Sequence, residues 1–230
     1  MPPYIASWSA PSANSVADQY SFETHYPVRL IDDSTLELPL RPLPSGDKAI
    51  ALLMSNQTPF AVEVALASLL VKLAKEFAPA VIVAVPTMGL DYARLVAQGL
   101  GHPHYVALGL SRKFWYDEEL AESMSSSTSP TQKKSIYLDP ALLSRVSGKH
   151  VVLVDDVINT GASAVAAIRL LMRAGAIIDG LVVVLTEGRA WRVALSEVDP
   201  SLPERVRSAG HIPLFDPTAD GRWTPDMTTF

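Results

Sequence analysis

Two adjacent carboxylates, Asp155 and Asp156, end an uncharged β-branched run at residues 151–154, and a short polar turn of Asn159, Thr160 and Gly161 follows them. The run has the continuous apolar character of a strand buried on both faces in a parallel sheet. From Ala162 an alanine-rich segment places Val165, Ile168, Leu171 and Met172 at helical spacing and stops at Gly175, a residue suited to a left-handed helix cap. The predicted unit is strand, loop and helix, with the loop at the carboxyl end of a strand, where open α/β sheets bind ligands. Asn159, Thr160, Gly161, Ala162 and Ser163 would turn several unpaired backbone N–H groups, helped by two hydroxyls, toward one anion of phosphate size. The neighbouring acids would repel that phosphate, so they suit hydroxyls or a divalent cation beside it. Phosphate, diol hydroxyls and Mg²⁺ together describe a phosphorylated sugar. Acids at a strand end, or a hydroxyl residue opening a helix, are structural features when found singly. Their order and spacing together carry the chemical reading.

A second strand-to-helix turn, Pro86, Thr87, Met88 and Gly89, follows the apolar run at residues 80–85. On the same sheet edge it can offer free N–H groups to a second anion. Residues 111–131 then break the alternation of strand and helix: they are polar, rich in Ser and Thr, and end near Pro130. Loops of that length inside a compact domain are often functional lids. This one carries Arg112 and Lys113 at its start and Lys133 and Lys134 at its end, cations that border a site for several negative charges.

The stretch VVLVDDVINTGAS at residues 151–163 resembles the phosphoribosyl pyrophosphate (PRPP) signature of the type I phosphoribosyltransferases. The resemblance implies that Asp155 and Asp156 hold the ribose hydroxyls, directly or through Mg²⁺, and that Asn159 to Ser163 wrap the 5′-phosphate. It assigns the pyrophosphate to Thr87, Met88 and Gly89 with the lid cations Arg112, Lys113, Lys133 and Lys134, and counts Lys113 with the two acids among the catalytic residues. Some members carry Arg or Lys just before the glycine, where this chain has Met88, so the pyrophosphate would rest more on backbone amides, Mg²⁺ and the lid. SRK, SSSTS and KSIYLDPALL resemble the lid of the xanthine/adenine branch, which implies a purine as the base. The implied reaction is displacement of pyrophosphate from carbon 1 of PRPP, giving a nucleoside 5′-monophosphate. A non-catalytic PRPP-binding regulator and an enzyme that makes or hydrolyses such sugars are the other readings. Trp191 would either stack on the base or pack between helices; Phe114 and Trp115 pose the same alternative. A homodimer is expected from the family.

The elements that must position these residues form an α/β fold, a parallel sheet flanked by helices. Helices are predicted over 60–77, 89–100 and 140–146 and from Arg189, and further strands over 104–108, 135–138 and 181–185. The 60–77 helix is apolar on most faces and predicted to be well covered. Residues 59–200 would be the core with a lid at 111–134, preceded by an arm at 1–25 that orders against a partner subunit. Residues 26–58 hold three short strands, a hood or a simple edge extension. Two of them form a hairpin around Asp32, Asp33 and Ser34, and Pro39 would put its strand at an edge. The tail at 201–230, with four prolines, reads as irregular. A net charge of −5 and the lack of a helix-turn-helix pattern argue against a nucleic-acid partner. With no cysteine, thiolate chemistry and disulfides are excluded, and the five histidines show no metal spacing. Apolar runs are too short to span a membrane, and the amino terminus lacks a signal-peptide pattern, so a cytoplasmic protein is expected. Neither a dinucleotide-binding GxGxxG nor a P-loop motif is present.

Overall fold

The computed structural model describes residues 3–11, 20–124 and 134–230. In chain order the strands and helices are β1 (Ser7–Ser9), β2 (His25–Arg29), β3 (Thr35–Pro42), β4 (Ala49–Ala51), α1 (Phe60–Lys75), β5 (Val81–Ala84), α2 (Gly89–Gly99) and β6 (Val106–Ala107). They continue as β7 (Ala121–Met124), β8 (Lys134–Tyr137), α3 (Leu143–Val146), β9 (His150–Ile158), α4 (Ala162–Arg173), β10 (Ile177–Glu187), α5 (Ala190–Ser196), β11 (Val206–Ile212), β12 (Phe215–Pro217) and β13 (Trp223–Pro225).

Five of these strands make a parallel sheet in the order β11-β10-β9-β5-β6. Side chains alternate across it, as the pleat requires. Val152 and Val154 of β9 join α1, α2 and the N-terminal strands in one buried cluster, while Val151 and Leu153 join α4 in a second. Both faces are therefore dry, which is why the strand cores lack charge; each buried Val or Leu contributes about 1.5–3 kcal/mol. Helix α4 ends where Gly175 adopts φ +80°, and the N–H groups of Gly175 and Ala176 return to the carbonyls of Met172 and Leu171. This double bond closes the helix as a Schellman cap. Helix α1 is covered on one side only, since Phe60 and Val64 stay exposed. Among the described residues no helix is long and apolar enough to cross a membrane.

The hood is a separate antiparallel sheet, β1-β3-β4-β12-β13, with β2 also paired to β3. The β2–β3 hairpin turns where predicted: the Asp32 carboxylate accepts from the Ser34 N–H at 3.1 Å, and Asp33 takes φ 65°. Pro39 does not mark an edge. Strand β3 pairs with β1 up to Glu37 and with β4 from Leu40, so the missing N–H falls where its partner changes. The expected arm is also corrected in part, since Ser7–Ser9 pairs with β3 of the same chain.

The tail is not irregular. Strand β11 lies beside β10 in the main sheet, and β12 and β13 complete the hood. As an edge strand β11 needs no continuous apolar run, and the prolines fall in turns or at strand ends, which concealed the pattern. Residues 134–137 likewise leave the main sheet: β8 pairs with β7 in a two-stranded ribbon of its own. Arg173 of α4 fastens that ribbon through the carbonyls of Glu119 and Ala121, at 3.0 and 2.6 Å, and the Glu122 carboxylate, at 2.7 Å.

Candidate active site

The acids sit where β9 outruns its neighbour. Strand β5 pairs with β9 only as far as Ala84 opposite Val154, after which the Val85 N–H bonds the Val154 carbonyl and the chain turns away. On the other side β9 continues to Ile158, opposite Thr186 of β10. The strand thus does not stop before the acids, as its change of composition predicted, but carries them. Asp155 and Asp156 are 8% and 9% exposed. The Asp156 N–H donates to Asp155 Oδ1 at 2.9 Å, and the Val157 N–H to Asp156 Oδ1 at 2.8 Å. Neither carboxylate belongs to an ion pair among the described residues. Burial, and then the charge of Asp156, holds the Asp155 carboxyl well above the usual carboxylate range. Burial also raises Asp156, against the pull of the Val157 N–H and the nearby Ser55 hydroxyl. Two carboxyls in a dry position without a cationic partner among the described residues favour a ligand that brings a cation or hydroxyl donors.

Two glycine turns flank them. Gly161 takes φ +84° as the N-cap of α4, and no side chain caps the helix apart from a long 3.4 Å contact from the Ala162 N–H to Thr160 Oγ1. The first-turn N–H groups are therefore free for an anion. A Cβ on Gly161 would lie 3.2 Å from both the Trp191 Cα and the Ala194 Cβ, so α5 backs the turn. The second turn, Thr87 to Gly89, runs against the acids themselves: a Cβ on Gly89 would lie 2.7 Å from the Val154 carbonyl oxygen. Helix α2 also opens without a side-chain cap. The signature residues and Thr87, Met88 and Gly89 are thus gathered at one edge of the sheet.

The lid cations are not brought to the acids. Arg112 pairs with Glu118 at 2.6 Å, Lys113 and Lys134 are exposed, and Lys133 lies outside the described residues. Trp191, for which stacking and packing stood as alternatives, is tightly packed. It is 3% exposed, its Nε1 donates to the Gly188 carbonyl at 3.0 Å, and the Arg192 guanidinium lies over its ring. Its backbone and Cβ back the Gly161 turn. Trp115 donates to Asp139 Oδ2 at 3.0 Å, while Phe114 is 96% exposed.

Four residues at this end of the sheet were not singled out from the sequence. Ser55 donates to the Met88 carbonyl at 3.1 Å, linking the hood to the second turn. Tyr4 accepts from the Met54 N–H at 2.9 Å, and Tyr92 is fully buried with an unpartnered hydroxyl. Burial and then the Asp156 charge make the Tyr92 hydroxyl harder to ionise. Glu187, at the end of β10, is buried, and burial pushes its carboxyl up to about 7. Ser55, Tyr4 and Tyr92 reach the site across the fold, so no local spacing signals them.

Residues 59–201 match the phosphoribosyl transferase domain. The chain belongs to this family. It is 32% identical over 107 residues to the hypoxanthine/guanine phosphoribosyltransferase of Methanohalobium evestigatum, covering 46% of this chain and 52% of that protein. It spans about half the length of the curated relatives it matches. Its fold is similar to adenine phosphoribosyltransferase from Thermoanaerobacter pseudethanolicus, with TM-score 0.54 and 18% identity over 66% of this chain and 82% of that one. Orotate phosphoribosyltransferase from Aeropyrum pernix gives TM-score 0.52 and 20% identity over 75% and 85% of the two chains.

Proposed function

We propose that this phosphoribosyl transferase domain joins a purine base to PRPP, releasing pyrophosphate and forming a nucleoside 5′-monophosphate. The carrying observation is the buried pair Asp155 and Asp156, without a cationic partner among the described residues, set between two uncapped glycine turns. The turns suit the two ends of PRPP: Asn159 to Ser163 the 5′-phosphate, Thr87 to Gly89 the pyrophosphate. The acids between them suit the ribose hydroxyls, and their charge favours the cationic character that the sugar develops as pyrophosphate leaves. The purine class is supported by the names of the curated relatives and by the lid pattern.

The work of the protein is positioning, so the reacting atoms meet in line with little covalent chemistry by the chain. Mg²⁺ fits the donor set: both groups are oxygen donors, and no cluster of three or more potential ligands exists among the described residues. That matches an ion bound by one or two carboxylates and completed by substrate oxygens and water. Asp155 and Asp156 would hold it, and when bound it neutralises the phosphate charge. Residues 111–134 would bring Arg112, Lys113, Lys133 and Lys134 over the pyrophosphate and exclude water from the activated sugar.

Pyrophosphate release from PRPP, measured with a panel of purines and pyrimidines, tests this reading. Release that depends on a purine supports it. Release without any base points to hydrolysis, and PRPP binding without release points to a regulator.

A further inference from the structure

Glu187 is the last residue of β10, opposite Ile212 of β11 and one position past the pair Thr186 and Ile158. It therefore runs alongside Asn159, where the phosphate turn begins. Leu185, its cross-strand partner Val157 and Ile212 all pack with α1, α2 and the hood, whereas Ile158 packs with α4. Strand alternation then puts the Glu187 side chain on the hood side of the sheet edge. That is also the side of Asp156 and Ser55.

The carboxyl is 5% exposed and has neither a hydrogen bond nor an ion pair among the described residues. Its neighbours are satisfied: Thr186 Oγ1 meets His211 Nδ1 at 2.7 Å, and the Gly188 carbonyl accepts from Trp191. The Glu187 oxygens are not among the sealed unpartnered atoms, so they face an opening. A buried carboxyl without donors is a costly arrangement that a ligand can relieve. The phosphates and the sugar hydroxyls already have their partners in the turns and in Asp155 and Asp156. What a PRPP-dependent reaction brings besides these is the base, the one part that carries N–H donors.

We propose that Glu187 is a specificity-determining residue that accepts hydrogen bonds from adjacent N–H groups of the base, selecting a 2-amino-6-oxopurine over a 6-aminopurine. This rests on the transferase reading above. A carboxylate offers two acceptors, which match the ring N–H and the exocyclic amine of a 2-amino-6-oxopurine. A 6-aminopurine sets a ring-nitrogen lone pair beside its amine, and that lone pair meets the carboxylate oxygen unfavourably. Discrimination by a buried hydrogen-bonding group of this kind is large, because the mismatched partner leaves it unpaired.

Binding of GMP and AMP to the full chain by isothermal titration calorimetry tests the assignment without requiring turnover, with PRPP binding measured alongside. Wild type is expected to prefer GMP. Glu187→Gln, which swaps one acceptor for a donor, is expected to lose about 10- to 100-fold in GMP affinity, to hold or improve AMP binding, and to leave PRPP affinity unchanged. Glu187→Ala should lose the preference without gaining AMP. A wild type without preference for GMP, or a preference that survives both substitutions, overturns the role of Glu187 while PRPP binding keeps the transferase reading. A wild type that binds neither PRPP nor either nucleotide overturns both.

Discussion

Gly89 lies so close to Asp155 that a Cβ on it would stand 3.0 Å from the Asp155 Oδ1 and 2.9 Å from its Cα. The contacted atoms are mostly backbone, so the strand cannot give way by rotating a side chain. Gly89→Ala is expected to destabilise the fold by about 1–3 kcal/mol through overpacking. It should also weaken PRPP binding by at least about tenfold, because the second anion turn moves off the acids. Urea unfolding and calorimetry read the two effects separately; unchanged PRPP affinity would detach this turn from the substrate.

Asp156→Asn separates chemistry from folding. The change is isosteric and removes a buried carboxyl whose ionised form the surroundings disfavour. Turnover is expected to fall about 100-fold or more, since the negative charge that would stabilise the developing cation is lost. The melting temperature at pH 8 should hold or rise. Wild-type turnover in this variant would contradict the role given to the acid pair.

The Glu187 carboxyl titrates near 7 in the folded chain, against an ordinary value of 4.5. Between those values the native state holds the proton that the unfolded chain has released, so stability declines as pH rises through the window. Wild type should therefore lose up to about 3 kcal/mol relative to Glu187→Gln between pH 4.5 and pH 8, with most of the change below pH 7. Urea midpoints of the two proteins across that range check the sign. Parallel curves would place the carboxyl in a better solvated setting.

Arg173 holds the β7–β8 stem by three contacts from α4, to Glu119, Ala121 and Glu122. Arg173→Ala should free the stem without unfolding the core, so limited proteolysis within residues 118–137 should quicken by about tenfold. The KM for PRPP should rise several-fold while the global unfolding midpoint stays put. Equal cleavage rates would show that the stem is held mainly by its own pairing.

How far the molecule was legible in its sequence depended on whether structure and chemistry were local. The strand, turn and helix around Asp155 could be read directly, because periodicity, a positive-φ glycine and an uncapped helix entrance all lie within a short stretch. The cap at Gly175 was legible for the same reason. Strand β11 was not: an edge position lets it carry Arg207, Ser208 and His211, which breaks the apolar run that marks a buried strand. Trp191 was undecided because an indole serves packing and stacking alike, and neither its bond to Gly188 nor the nearness of Gly161 shows in the sequence pattern of its own stretch. Glu187 looked like an ordinary loop residue, since nothing in its neighbours announces that a carboxyl is buried there without a partner.

The hood joins strands far apart in the sequence, with β1, β3 and β4 completed by β12 and β13. During synthesis the central α/β layers can assemble while this canopy is still missing a side. The canopy then closes only once residues 215–225 have been made, so a chain halted before them would hold the central layers yet leave β4 without its outer partner strand.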